Sequence, residues 1–242
     1  MDHQQPPSSV PQLIAETVVP ASTTTPVPET TPKPPPLAAR PPPPSNVTIE
    51  IPTDASDSLV ARLTGIVNEV YFDTEKDLFI EGTQRTNEQE VLSIIRGGEL
   101  AIAYVENPSP EHQPTSSPPP PSSSTQQREA IGCIRIKRVS DDVGELGMMA
   151  IAPSHQGGGM GSTLVRFAEG HIKETLGLTV SQLELLVPSG FHHAFKARLQ
   201  GWYDKMGYRV VRLGVFEDDY PEIAKLLRGP TEYRVFEKRL VA

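Results

Sequence analysis

The sequence predicts an α+β fold, a central mixed and mostly antiparallel sheet flanked by helices, in one domain over residues 46–242. Three observations carry this. Period-two and helical-period segments interleave irregularly, giving both consecutive strands and strand–helix units. Of 26 prolines, 14 precede Asn46 and seven lie from Pro108 to Pro121, so only five remain for the rest of the chain. Outside those two stretches the composition is ordinary and the length is enough to bury one sizeable core.

Residues 1–45 carry Pro, Thr and Ser with few large apolar groups, too little to offset the entropy of ordering, and are expected to be a disordered tail. Within it, Arg40-Pro41-Pro42-Pro43-Pro44 favours polyproline II, which serves as a spacer or as a ligand for an SH3- or WW-type groove. Val47 to Ile51 alternates and stops at Pro52, a first strand. Leu59, Leu63, Ile66, Val67 and Val70 recur at helical spacing behind Ser56, and a second helix runs from near Asn87 to the Gly97-Gly98 stop. Leu100 to Val105 and Ala130 to Val139 are consecutive strands. The Pro/Ser segment between them, about 107–128, is expected to be a disordered insertion. Gly144 to Ile151 is a strand, then come a glycine-rich turn and a helix over Ser162 to Leu176. Leu183 to Val187 is a compact strand, followed by a helix from Ala194 to Met206. Tyr208 to Val215 and Tyr233 to Leu240 close the sheet, with a short helix near Pro221 to Leu227 between them.

Charge and composition exclude several classes. The net charge is −8, and the tail holds two of the basic residues (Lys33, Arg40) and three of the acidic ones (Asp2, Glu16, Glu29), so −7 stays with the domain. That is no footprint for nucleic acid, and it suits a cationic substrate or plain solubility. The lone Cys133 can form no intrachain disulfide and sits in an apolar stretch as a packed thiol; no Cys/His cluster has zinc spacing, so no metal is expected. No signal sequence and no bilayer-length apolar run is visible, which points away from a membrane and to a soluble, reducing compartment: the cytoplasm, with the nucleus left open.

Gln156-Gly157-Gly158-Gly159-Met160-Gly161 lies between a strand and a helix. Glycines allow positive φ and close approach, so successive N–H groups can turn to one anion, helped by the helix N-terminus. A pyrophosphate suits that arrangement, and so does a plain flexible turn. A Walker loop is excluded because Gly161 leads to Ser162 without a lysine. The dinucleotide fingerprint fails because Ser162 stands where its third glycine belongs.

The same residues resemble the GNAT N-acetyltransferases, whose loop runs (Arg or Gln)-x-x-Gly-x-(Gly or Ala) after a strand closing on an apolar residue, any residue, then proline. Ile151-Ala152-Pro153 closes the strand, and Gln156, Gly159 and Gly161 fill the loop. Tyr203 stands four residues before Gly207-Tyr208, as the family's tyrosine precedes its Gly–aromatic pair. The resemblance covers roughly residue 46 to the C-terminus. It implies acetyl-CoA as co-substrate, with fourth and fifth strands that splay apart around its pantetheine arm. Met149, Ala150 and Ile151 would then meet the pantetheine amides, and the N–H groups of Gln156, Gly157, Gly158, Gly159, Met160, Gly161 and Ser162 the pyrophosphate.

An amine attacks a thioester only when neutral, so a base is needed. The resemblance points to Glu145 on the fourth strand, with His192 and His193 in reserve. It likewise makes Tyr203 the proton donor to the departing thiolate, although a tyrosine beside Trp202 also suits a core, and it puts the oxyanion on an N–H near Met149. Many relatives have asparagine seven residues before that tyrosine; here the residue is Lys196. The acidic run Phe216-Glu217-Asp218-Asp219-Tyr220 suits an ammonium or open water. The expected activity is acetyl transfer to a primary amine, a small molecule or polyamine, by direct attack in a ternary complex. A protein lysine or N-terminal acetyltransferase is the second reading, and a silent acyl-CoA-binding module the third.

Overall fold

Seven strands make one sheet in the order β1-β2-β3-β4-β5-β7-β6 in the computed structural model, which describes residues 46–106 and 128–241. The tail, its proline run and most of the 107–128 segment lie outside the described residues. Neighbouring strands are antiparallel except β4 (Val143–Ile151) and β5 (Val180–Pro188), which run parallel. β1 spans Val47–Glu50, β2 Leu100–Glu106, β3 Arg128–Arg138, β6 Arg209–Val215 and β7 Thr231–Arg239. The mixed, mostly antiparallel sheet predicted from the sequence is present.

Helices cover both faces. α1 (Asp57–Glu75) is capped by Ser56, whose side chain accepts from the Leu59 N–H, and α2 (Glu88–Arg96) by Asn87 in the same way from Glu90. Both lay Val60, Leu63, Val67, Val91 and Ile95 on the face of the sheet that carries Leu100, Ile102 and Cys133. Burying each such side chain is worth about 1.5–3 kcal/mol. On the opposite face α3 (Met160–Gly170) and α4 (Ala194–Lys205) cover Ile134, Leu146, Leu183 and Phe236.

Cys133 is buried, and burial pushes its thiol pKa up to about 12, so it is an inert core residue. The helix expected from Ser162 to Leu176 starts two residues earlier and changes pitch, its last turn, His171–Thr175, being of π type. That turn sets Ile172 against Gly144, where a Cβ would stand 2.7 Å from the isoleucine side chain. The single short helix expected near Pro221 to Leu227 is two turns, α5 (Phe216–Asp219) and α6 (Pro221–Ala224).

Candidate active site

β4 and β5 are paired only from Val143↔Val180 to Leu146↔Leu183. Beyond that point β4 stays with β3 and β5 with β7, so a gap opens between them. A bulge in β4 accompanies the parting. Cys133 faces Ala150 but Arg135 faces Gly147, which leaves one extra residue on β4, and Met148 takes φ 46°. A left-handed methionine costs about 1–2 kcal/mol and persists only where its surroundings enforce it. The extra residue also switches faces: Leu146 lies under α3, whereas Met148, Ala150 and Ala152 lie under α1 and α2. Beside it, the space where a Gly147 Cβ would stand is open.

The backbone of β4 past the bulge sorts by alternation. Ala152 donates to the Ile131 carbonyl at 2.8 Å, so Ala150, two residues back, also turns its polar groups to β3. Met149 and Ile151 turn theirs toward the gap. The Ile151 carbonyl is already engaged there, accepting from Gln156 Nε2 at 2.9 Å. Gln156 thus ties the following loop to the end of the strand.

That loop holds three left-handed glycines in succession, Gly157 at φ 87°, Gly158 at 48° and Gly159 at 87°. No atom crowds the Cβ positions of Gly157 or Gly158. Gly159 starts α3 without a side-chain cap, and the N–H groups of Gly158, Gly159, Gly161 and Ser162 have no acceptor among the described residues. Unsatisfied donors at a helix start, on a backbone open to close approach, fit the pyrophosphate of coenzyme A. Met160 differs: its N–H is bound to the Gly157 carbonyl at 3.2 Å and its side chain is buried in the core. Gly161 faces protein, since a Cβ there would sit 3.5 Å from the Trp202 ring.

α4 brings Tyr203 to the same region. Its ring is buried against Trp202, Tyr208 and Phe236, with centroids 4.9, 5.9 and 6.0 Å away. Its hydroxyl makes no hydrogen bond among the described residues and is not one of their fully buried, unpaired polar atoms. Burial, and to a lesser degree nearby Tyr71 of α1, push its pKa well above the usual phenol range, so it stays a protonated donor. Two turns earlier Lys196 is buried and pairs with Glu75 at the end of α1. The residue that departs from the family's asparagine is therefore part of a closed ion pair tying α1 to α4. His193 caps α4, its Nδ1 accepting from the Lys196 N–H at 3.4 Å, while His192 is exposed.

Glu145 sits one pair before the strands part, with Lys137 opposite on β3 and Gln182 opposite on β5. It is half-buried, and Gln182 Nε2 donates to it at 3.3 Å. Burial, then the nearby Glu184, raise its pKa above the ordinary carboxylate range, against the pull of Gln182, Lys137 and Arg135. Glu184, one residue past Leu183, accepts from the Tyr220 hydroxyl at 2.6 Å. The acidic run is partly consumed in packing: Phe216 is buried with Tyr220 and Tyr233, and Asp219 is held by Tyr233 and Arg212. Glu217 and Asp218 remain exposed.

The loops that follow α1 and α6 are joined to each other. The Ile80 N–H donates to Leu226 and the Arg228 N–H to Leu78, both at 2.8 Å, around a bridge from Phe79 to Leu227. Next to them lies a cleft of about 160 Å³ lined by Leu78, Pro188, Phe191, Arg228 and Thr231. Sequence reasoning missed Glu184, Tyr71 and Glu75, and had Tyr220 only as the end of the acidic run. Only Glu184 had a local signal, a carboxylate in an otherwise apolar strand; the others meet the site solely through tertiary packing.

Residues 125–210 match the family described as Acetyltransferase (GNAT) domain. Nothing among the curated proteins matches the chain. Among solved structures it is similar to an acetyltransferase from Streptococcus agalactiae 2603, with TM-score 0.52 at 13% identity, over 81% of this chain and 99% of that one. Ard1 from Thermoplasma volcanium gives 0.51 at 12% identity, over 81% and 99%. A GNAT-family acetyltransferase from Bacillus anthracis gives 0.50 at 10%, over 80% and 95%. At these identities the likeness is one of fold.

Proposed function

We propose that this chain, a GNAT-type N-acetyltransferase, transfers the acetyl group of acetyl-CoA to a primary amine of a small molecule or polyamine, by direct attack in a ternary complex. The observation that carries the reading is Glu145: a half-buried carboxylate at the parting of β4 and β5, with a pKa raised by burial and by Glu184. A base of raised pKa is better matched to an ammonium proton than an ordinary carboxylate is.

Acetyl-CoA supplies an activated acyl group; the chain's own residues hold it and move the protons. The N–H groups of Gly158, Gly159, Gly161 and Ser162 bind the pyrophosphate, and the gap-facing groups of Met149 and Ile151 orient the pantetheine arm. An N–H near Met149, on the bulged strand, supports the acyl oxygen. Glu145 takes the proton of the incoming amine, directly or through a water. Tyr203, kept protonated by burial, gives its proton to the leaving sulfur.

The test is release of free thiol from acetyl-CoA with a panel of small amines and polyamines, an N-terminal peptide and a lysine peptide. Turnover with small amines supports the proposal, and turnover with peptides alone replaces it. Coenzyme A binding without any turnover would leave the silent module.

A further inference from the structure

Glu184 and Tyr220 have no part in the chemistry just described, yet Glu184 shares a sheet face with the proposed base and is held by Tyr220. Glu145, Gln182 and Glu184 project from the same face of the sheet: Gln182 is the direct partner of Glu145, and Glu184 is two residues further along β5, past the last β4–β5 pair. α1 and α2 cover this face on one side, over β2 to β4, and the Phe216–Tyr233–Val235 cluster covers it on the other. Between those clusters Glu145, Gln182 and Glu184 are each half-buried. A flexible glutamate there would turn to water, away from another carboxylate. Glu184 is prevented from doing so by the Tyr220 hydroxyl at 2.6 Å, and Tyr220 is itself fixed by its ring, 5.0 Å from Phe216 and 5.8 Å from Tyr233.

We propose that Glu184, held by Tyr220, is a positioning residue for Glu145: it acts on the reaction by keeping a fixed negative charge beside the base and touches neither the acetyl group nor the leaving sulfur. The proposal rests on Glu145 being the base. Tyr220 suits its part, because burial and the carboxylates of Glu184, Glu145 and Asp219 raise its pKa and keep it a donor. The groups facing Glu145 come from several elements. β3 contributes Lys137 and Arg135, β5 contributes Gln182 and Glu184, and the α5–α6 junction contributes Tyr220. Glu237 of β7 stands opposite Gln182, and Arg209 of β6 opposite Glu237. α1, which packs across β4, carries Asp57, Arg62, Glu69, Asp73 and Glu75, none of them among the charges acting most strongly on Glu145. Glu184 is thus the charge whose removal should weaken the base, opposing the two β3 cations.

The experiment measures kcat/KM against pH for the full chain, with saturating acetyl-CoA and one amine, for wild type, Glu184→Gln, Tyr220→Phe and Glu145→Gln. Without the neighbouring charge Glu145 loses its proton more readily, so Glu184→Gln should move the acid limb to lower pH by about half a unit or more. The weaker base should also lower the high-pH plateau several-fold. KM for acetyl-CoA should stay within about two-fold, because the pyrophosphate loop is untouched. Tyr220→Phe keeps the ring and the carboxylate but frees Glu184 to turn away, so its limb should move the same way by less. It also carries the test if Glu184→Gln fails to fold. A drop in kcat at every pH with an unmoved limb, in either folded variant, would mean a merely structural role and overturn the proposal. Wild-type activity in Glu145→Gln would remove the base itself, and this proposal with it. An inactive Glu145→Gln beside an unmoved limb in Glu184→Gln overturns the positioning role alone.

Discussion

The two sides of the gap between β4 and β5 are built from different materials. The side proposed for the cofactor is backbone: left-handed glycines, N–H groups at the start of α3 without an acceptor among the described residues, and the strand edge past Met148. The side proposed for the acceptor is side chains: Glu145, Gln182, Glu184 and Tyr220. The difference follows from the two ligands. A cofactor of fixed structure with anionic phosphates is met by main-chain donors that any sequence with the right glycines presents. An acceptor amine must be selected and deprotonated, and only side chains offer the variety and the tunable charge for that.

The comparison makes graded predictions. The largest effect should come from removing a proton-handling group: Tyr203→Phe keeps the aromatic packing and should lower kcat by about 100-fold or more, with coenzyme A affinity little changed. Steady-state kinetics with any accepted amine checks it, and a normal kcat would return Tyr203 to the core. Next comes the ion pair that ties α1 to α4. Lys196→Met strands Glu75 in a buried position and should destabilise the fold by about 3 kcal/mol in urea unfolding. The double variant Lys196→Met/Glu75→Leu should recover most of that loss, and failure to recover would mean that the pair supplies more than mutual neutralisation.

On the cofactor side, Gly158→Val forces a β-branched residue to φ 48° and fills the open approach to the loop. Coenzyme A affinity should fall by about 10-fold or more by calorimetry, corresponding to about 1.4 kcal/mol. Gly161→Val should weaken binding too, but by pressing on Trp202, so its loss of melting temperature should exceed that of a loop-only change. The pH dependence comes next. Because the Glu145 pKa is raised and the base works deprotonated, kcat/KM should decline on acidification at a higher pH than an ordinary carboxylate of about 4.3 would give. An acid limb at or below that value would contradict the raised base. The smallest effect belongs to residues 1–45, whose deletion should leave turnover and melting temperature nearly unchanged.

How much of this was legible in the sequence varied by region. Ser56 and Asn87 marked the starts of their helices, as the apolar spacing behind them predicted, and the structure makes both of them caps. The apolar runs of β2 to β5, the glycine loop and the Tyr203 helix were equally plain, since each depends on composition, periodicity or conformational freedom within a few residues. The bulge at Met148 was not, because nothing in Gly147-Met148-Met149 distinguishes a regular strand from one with an extra residue. It is defined only by the register of β3 against β4.

By itself, then, the sequence determined the order of the elements, the mixed sheet and a backbone loop suited to phosphate. These are local properties, set by spacing, glycines and caps. The tertiary structure alone decided where β4 and β5 part, that Lys196 turns to Glu75 instead of the gap, and that Glu184 and Tyr220 stand beside Glu145. Lys196 and Glu75 are 121 positions apart, Glu184 and Tyr220 are 36, and Glu145 and its partner Gln182 are 37, and no local pattern carries such information. It arises only when packing brings distant charges into one partly dry space, where their mutual energies become large enough to set a base's strength.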